Sequence, residues 1–165
     1  MKKRVLMSLV LLAIIGTSAV FAQQPTLDKL KFVGDGKAGY MATPLNDNIS
    51  GAVVIPATYS GLPVTVISGF HNCREITSVT IPAGTTIGQG VYFNAFLYCN
   101  KLTSVTFQGS DIKMANPDRS TIFPGDLRAK YETGGAGTYT RVAGNTNWTK
   151  GGKTVCPTCG GTGYI

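Results

Sequence analysis

One histidine, one tryptophan and eight acidic side chains among 165 residues leave this chain little with which to do chemistry. His71 alone would have to carry any catalytic triad or imidazole-based metal site, and Glu75 is the one carboxylate near it in sequence. No paired-carboxylate pattern and no Gly-x-Ser-x-Gly turn occurs. The glycine-rich run at 134–137 lacks the strand and helix that frame a phosphate site. These absences argue against an enzyme, and His71 reads as an outward coil residue. Long apolar runs are missing too: residues 5–15 form a stretch of eleven broken only by Ser8, against the roughly 20 that span a bilayer. Nothing resembles a nucleic-acid reading motif, so no nucleic-acid partner is expected.

What stands at the start is an export signal. Lys2, Lys3 and Arg4 precede the apolar run, and Val20, Phe21 and Ala22 fit a signal-peptidase site before Gln23. An exported bacterial protein is expected: secreted, periplasmic or displayed on the cell surface, with residues 1–22 removed. No cysteine follows the apolar run, which argues against a lipid anchor there, and no stable membrane span is expected after cleavage. Cleavage lowers the formal charge from +7 to +4, because three basic residues leave and no acidic one does. The central region is neutral, with Arg74 and Lys101 against Glu75 and Asp111. Between residues 113 and 153 seven basic residues face Asp118, Asp126 and Glu132. That stretch is either a solvated surface or a salt-screened contact for an anionic glycan or cell-wall polymer.

The most informative feature is a repeat of 26 residues. Val53, Val54, Ile55 and Pro56 return as Val79, Thr80, Ile81 and Pro82, then as Val105, Thr106, Phe107 and Gln108. In the same register Phe70 recurs as Phe96, Cys73 as Cys99 and Ile76 as Leu102. A unit this short cannot bury its apolar side alone and must bury it against its neighbours, so the period predicts a solenoid of stacked coils. Alternation assigns the faces. Val53, Ile55, Val79, Ile81, Val105 and Phe107 point inward with Phe70, Ile76, Ile87, Phe96 and Leu102. Ala52, Val54, Ser78, Thr80, Ser104 and Thr106 point outward, making a small, uncharged, hydroxyl-rich face.

The expected fold is therefore a short, β-rich solenoid of about three rungs, with strands near 52–55, 78–81 and 104–107. Proline after the first two strands turns the chain outward, and Gln108 in its place marks the end of the array. A hairpin over 30–33 and 39–42 is predicted to cover the first open edge. A short helix over 125–131, with Asp126 near its start and Gly134 and Gly135 stopping it, and a second hairpin over 138–142 and 147–150 would close the other end. The divisions are 1–22 signal, 23–50 N-terminal β cap, 51–110 repeats, 111–150 C-terminal cap and 151–165 a Gly/Cys tail.

Cys73-x-x-Ile76-Thr-Ser-Val-Thr-Ile-Pro82, followed by Ile87-Gly88 and Ala95-Phe96, resembles the BspA-type leucine-rich repeat also found in treponemal surface proteins. Ala57-Thr-Tyr-Ser-Gly-Leu-Pro-Val-Thr-Val-Ile67 is similar to that family's first repeat, and the likeness covers residues 50–110. The second coil is about three residues longer than usual for the family, around residues 91–93. The resemblance implies a non-catalytic protein, secreted or surface-displayed, that binds a host or bacterial surface protein or glycan. Ser78, Thr80, Ser104 and Thr106 are the candidate contact residues, extended by Tyr92 and Tyr98. Phe93 repeats the position of Ile67 and reads as core, while Trp148 is either contact or packing.

Four cysteines remain. Cys73 and Cys99 occupy equivalent positions about 5 Å apart on neighbouring coils, within reach of a disulfide but better read as a ladder of reduced, buried thiols. Cys156-Pro-Thr-Cys159-Gly-Gly-Thr-Gly163 resembles one unit of the cysteine-rich region of DnaJ-type co-chaperones, which in that family supplies half of a tetrahedral zinc site. Here Cys156 and Cys159 are read either as plain local thiols or a local disulfide, or as half a zinc site completed by a second chain. The latter would make the protein a metal- or redox-linked assembly module. Apart from that zinc, no cofactor is expected.

Overall fold

The computed structural model describes residues 24–34, 38–88, 94–115 and 122–151. The chain is β-rich, with a 3-10 turn at Leu27–Lys29 and one short helix. Nine strands precede the helix: β1 (Leu30–Val33), β2 (Tyr40–Pro44), β3 (Ser50–Val54), β4 (Thr58–Tyr59), β5 (Leu62–Ile67), β6 (Glu75–Ile81), β7 (Thr86–Ile87), β8 (Ser104–Phe107) and β9 (Lys113–Met114). Helix α1 (Leu127–Gly134) is followed by β10 (Gly137–Thr140) and β11 (Thr149–Lys150).

The sequence period becomes the register of one sheet. Strands β3, β6 and β8 are parallel neighbours, with Ala52 beside Ser78, Ser78 beside Ser104 and Ile81 beside Phe107. Like side chains therefore stack on like at the ladder spacing of about 4.8 Å. The ladder runs one residue past β8, where the Gln108 N–H donates to Ile81 O at 2.9 Å. Pro82, one coil earlier, has no N–H to repeat that bond.

A second sheet, which the period does not announce, runs β1-β2-β5-β7-β9, with β4 folded back on β5. The β4–β5 hairpin turns on Ser60 and Gly61, at φ 48° and 80°, the backbone that a two-residue type I′ turn requires. The hairpin of β1 and β2 forms as expected but on this second sheet, where β2 lies parallel to β5. The open edge of β3 is met differently. Thr26 exchanges bonds with Val54 through its N–H and Oγ1, and Lys29 Nζ donates to Ser50 O at 2.7 Å and Ala52 O at 3.0 Å. An ammonium laid on edge carbonyls leaves no template for another strand.

All eleven residues predicted to point inward are buried. Their backbone is a phenylalanine stack, Phe70 on Phe96 at 5.0 Å and Phe96 on Phe123 at 5.1 Å between ring centroids. Phe123 continues the stack beyond the stretch in which the repeat is recognisable. The Phe96 N–H donates to Ile122 O at 2.8 Å, which ties the segment at 122–123 to the stack.

The predicted helix and second hairpin are both present, as α1 and as β10 paired antiparallel with β11. Strand β10 also adds antiparallel to β8, which widens the first sheet to five strands. Asp126 stands before α1 but makes no side-chain bond to it. Its Oδ1 instead accepts the Trp148 N–H at 2.8 Å, tying the segment before β11 back to the helix start.

Candidate functional site

Two rows of short side chains cross the outer face of the five-stranded sheet, with the exposed Glu75–Lys101 ion pair at the start of β6 beyond them. One runs Ala52, Ser78, Ser104, Thr140 and Thr149; the other runs Val54, Thr80, Thr106 and Thr138. Neither contains a charged residue, and seven of the nine side chains carry a hydroxyl. Thr106 and Thr138 join theirs at 2.9 Å.

Two of the predicted outward residues are not available for contact. Thr80 is 6% exposed and Val54 7%. In the middle of a ladder each short side chain is wedged between its neighbours on the flanking strands: Thr80 lies between Val54 and Thr106, and Val54 faces the Thr26 segment. Ala52, Ser78, Ser104 and Thr106 are half-buried, whereas Thr138, Thr140 and Thr149 are exposed. The accessible hydroxyls thus extend onto β10 and β11, which sequence reasoning read as a separate hairpin. The Thr-x-Thr alternation at 138 and 140 was the available signal.

Tyr98 stands at the corner before β8, 56% exposed. It adopts a left-handed backbone, φ 64°, as Asn72 does one coil earlier at 65°. Asparagine tolerates that region and tyrosine does so poorly, so neither burial nor backbone preference accounts for an aromatic ring here. Tyr92 and Phe93 lie outside the described residues, as does the longer loop around 91–93. Trp148 is core: its Nε1–H donates to Pro124 O at 2.8 Å. His71 is half-buried, beside neither of the sheet's rows.

Four basic residues of the stretch, Arg128, Lys130, Arg141 and Lys150, bond to their own chain. Arg141 Nε donates to Leu102 O and Nη1 to Asn145 O, both at 2.7 Å; Nη2 reaches Cys99 O and Asn100 O at 3.3 and 3.4 Å, and the guanidinium lies 5.0 Å from the Trp148 ring centre. Arg128 pairs with Glu132 at 2.9 Å, Lys130 approaches Asp126 at 3.9 Å, and Lys150 donates to Gly134 O. An anion would have to compete with these contacts.

Cys73 and Cys99 are buried, unbridged thiols, and Cys99 Sγ donates to Phe70 O at 3.1 Å. Burial, assisted by Asp47, pushes Cys73 up to about 11. Burial and the neighbouring Cys73 push Cys99 up to about 12. Both values rise from 9.0, so the stability linked to these groups is complete below pH 9 and is lost as pH climbs through 11 to 12. In a Cys156→Ser/Cys159→Ser variant, a thiol reagent at pH 8 is expected to label neither remaining cysteine until denaturant is added. Rapid labelling of the native variant would contradict the burial.

Cys156 and Cys159 lie outside the described residues. Among the described residues no group of three or more His, Cys, Asp or Glu side chains gathers to hold a metal. Cys73 and Cys99, sealed in the core, are no source for a second thiolate pair. Among the described residues no helix is long and apolar enough to cross a membrane.

No protein family and no curated protein matches the sequence. Among solved structures, the chain is similar to a T. pallidum leucine rich repeat protein at 25% identity and a TM-score of 0.39, over 62% of this chain and 42% of that one. The chain therefore spans less than half the length of that protein.

Proposed function

We propose that this chain is an exported, non-catalytic binding module: a three-rung solenoid of the leucine-rich-repeat type that holds a surface protein or glycan on the outer face of its five-stranded sheet. In this reading residues 1–22 direct export, 51–110 form the repeats, and the segments on either side close the stack. The observation that carries it is the in-register row Ala52, Ser78, Ser104, Thr140, Thr149, with no charge in it or in the row beside it. Short hydroxyls fixed by their own ladder can donate and accept with little rotamer entropy to lose.

The size of the face bears on the partner. Five strands at about 4.8 Å give a width of about 20 Å, and the two rows take up about 10 Å along the strands, so the face covers about 200 Å², well short of the roughly 800 Å² per side of a standard protein interface. A glycan chain fits that face as it stands. A protein partner has to engage Tyr98 as well, the kind of large, rigid side chain that anchors interfaces.

The test is binding of residues 23–165 to a panel of matrix proteins, glycans and cell-wall polymers at low and high salt. Ser104→Arg and Thr140→Arg should each weaken binding at least about tenfold with the melting temperature unchanged. Thr80→Arg is a poorer probe because Thr80 is packed. Binding that disappears in high salt yet survives both substitutions would move the site to the basic residues between 113 and 153.

A further inference from the structure

Strands β1 and β2 present another outer face, on the second sheet. Lys31 pairs with Thr43 and Val33 with Met41 across the antiparallel ladder, so these four stand on one side. Leu30 and Ala42, on the other side, belong to the core. The segment after β2 and the turn at 69–71 border this face and form with it an open groove of about 350 Å³. Small-molecule sites occupy about 300–1,000 Å³, so this one suits a small ligand.

Its walls are of two kinds. Val33, Met41 and Leu45 are apolar, and Val33 and Leu45 remain 45% and 56% exposed. Lys31, Asp47 and His71 supply a cation, an anion and an imidazole to the same groove. Lys31 and Asp47 are exposed to water, His71 is half-buried, and none of the three side chains makes a hydrogen bond or ion pair to a described residue. Other lysines here do find partners: Lys29 lies on two strand carbonyls and Lys101 on Glu75 at 2.7 Å. An ammonium and a carboxylate that share a small groove without meeting are complementary to a ligand that brings both opposite charges.

We infer that this groove binds a zwitterionic molecule of amino-acid to dipeptide size with apolar side chains. Its carboxylate would lie at Lys31 and His71, its ammonium at Asp47, and its side chains against Val33, Met41 and Leu45. The inference is independent of the hydroxyl face.

The test is calorimetric titration of the full chain with leucyl-leucine, its N-acetyl form, its C-terminal amide and the doubly capped form. Leucyl-leucine should saturate the site, and each cap should weaken binding roughly tenfold. Lys31→Gln should reduce the penalty of the amide alone, and Asp47→Asn should remove that of the acetyl group alone. Absence of saturable binding by about 10 mM, a free-energy limit of only about −3 kcal/mol, would overturn the inference. Equal affinity for all four probes would do so too, because the charges would then play no part.

Discussion

Phe96→Ala is expected to destabilise the protein by about 3–5 kcal/mol, the range for emptying a buried aromatic site. Phe96 is the middle ring of the stack, with Phe70 at 5.0 Å on one side and Phe123 at 5.1 Å on the other. Its loss removes two ring contacts as well as the buried area, and each such pair adds about 0.5–1.5 kcal/mol to burial. A domain of ordinary stability has about 5–15 kcal/mol in all, so this one change removes a fifth of it or more. Urea denaturation measures it, with the midpoint shifting at constant slope. Phe32→Ala is the control: Phe32 stacks on Tyr59 at 3.9 Å but is only half-buried, and its loss should be clearly smaller. Equal effects would mean that the stack is not the spine of the core.

Arg141→Ala should cost about 2–4 kcal/mol, because hydrogen bonds from a charged donor contribute about 1.5–3 kcal/mol each and part of this site is open to water. The guanidinium holds the turn before β8 to the β10–β11 connection through the carbonyls of Cys99, Asn100, Leu102 and Asn145. Burial lowers its pKa, and it nonetheless stays a cation at physiological pH. Arg141→Lys should recover less than half of the loss, since a point ammonium cannot reach both sides as a planar fork does. Hydrogen exchange locates the damage: β10 and β11 should exchange early while β3 and β6 remain protected. Uniform acceleration across both sheets would show that the β10–β11 segment is no separate clamp on the stack.

The three strands at a spacing of 26 and the side chains they bury were legible because period and alternation both bear on the same residues. Val79 and Val105 are adjacent in the ladder for the reason that they are alike in sequence. The second sheet was hidden for the opposite reason. Strands β7 and β9 are two residues long, and their ladder steps are unequal: Val66 pairs with Thr86 and Thr86 with Lys113, so no fixed period connects them. Phe123 was missed because it follows Phe96 by 27 residues through a segment that no longer resembles the repeat.

The contact face was half legible. Alternation fixes which way Thr80 points, but not that its neighbours close over it. Nor does it show that Thr138 and Thr140 dock antiparallel on β8. The β1–β2 groove could not be read at all, because Lys31, Asp47 and His71 come from three separate segments and carry no spacing signal.

The proposed binding face exists only if consecutive coils stack in the 26-residue register, and disulfide trapping measures that directly. In the Cys156→Ser/Cys159→Ser background, Ser78→Cys with Ser104→Cys places two thiols on directly opposed positions of β6 and β8, at a Cα separation of about 4.8 Å that a disulfide tolerates. Ser78→Cys with Thr106→Cys sets the diagonal control at about 7–8 Å. Mild oxidation is predicted to bridge the opposed pair within a single chain and to leave the diagonal pair reduced. Preferential bridging of the diagonal pair, or of neither, would contradict the stacked register and the hydroxyl face that depends on it.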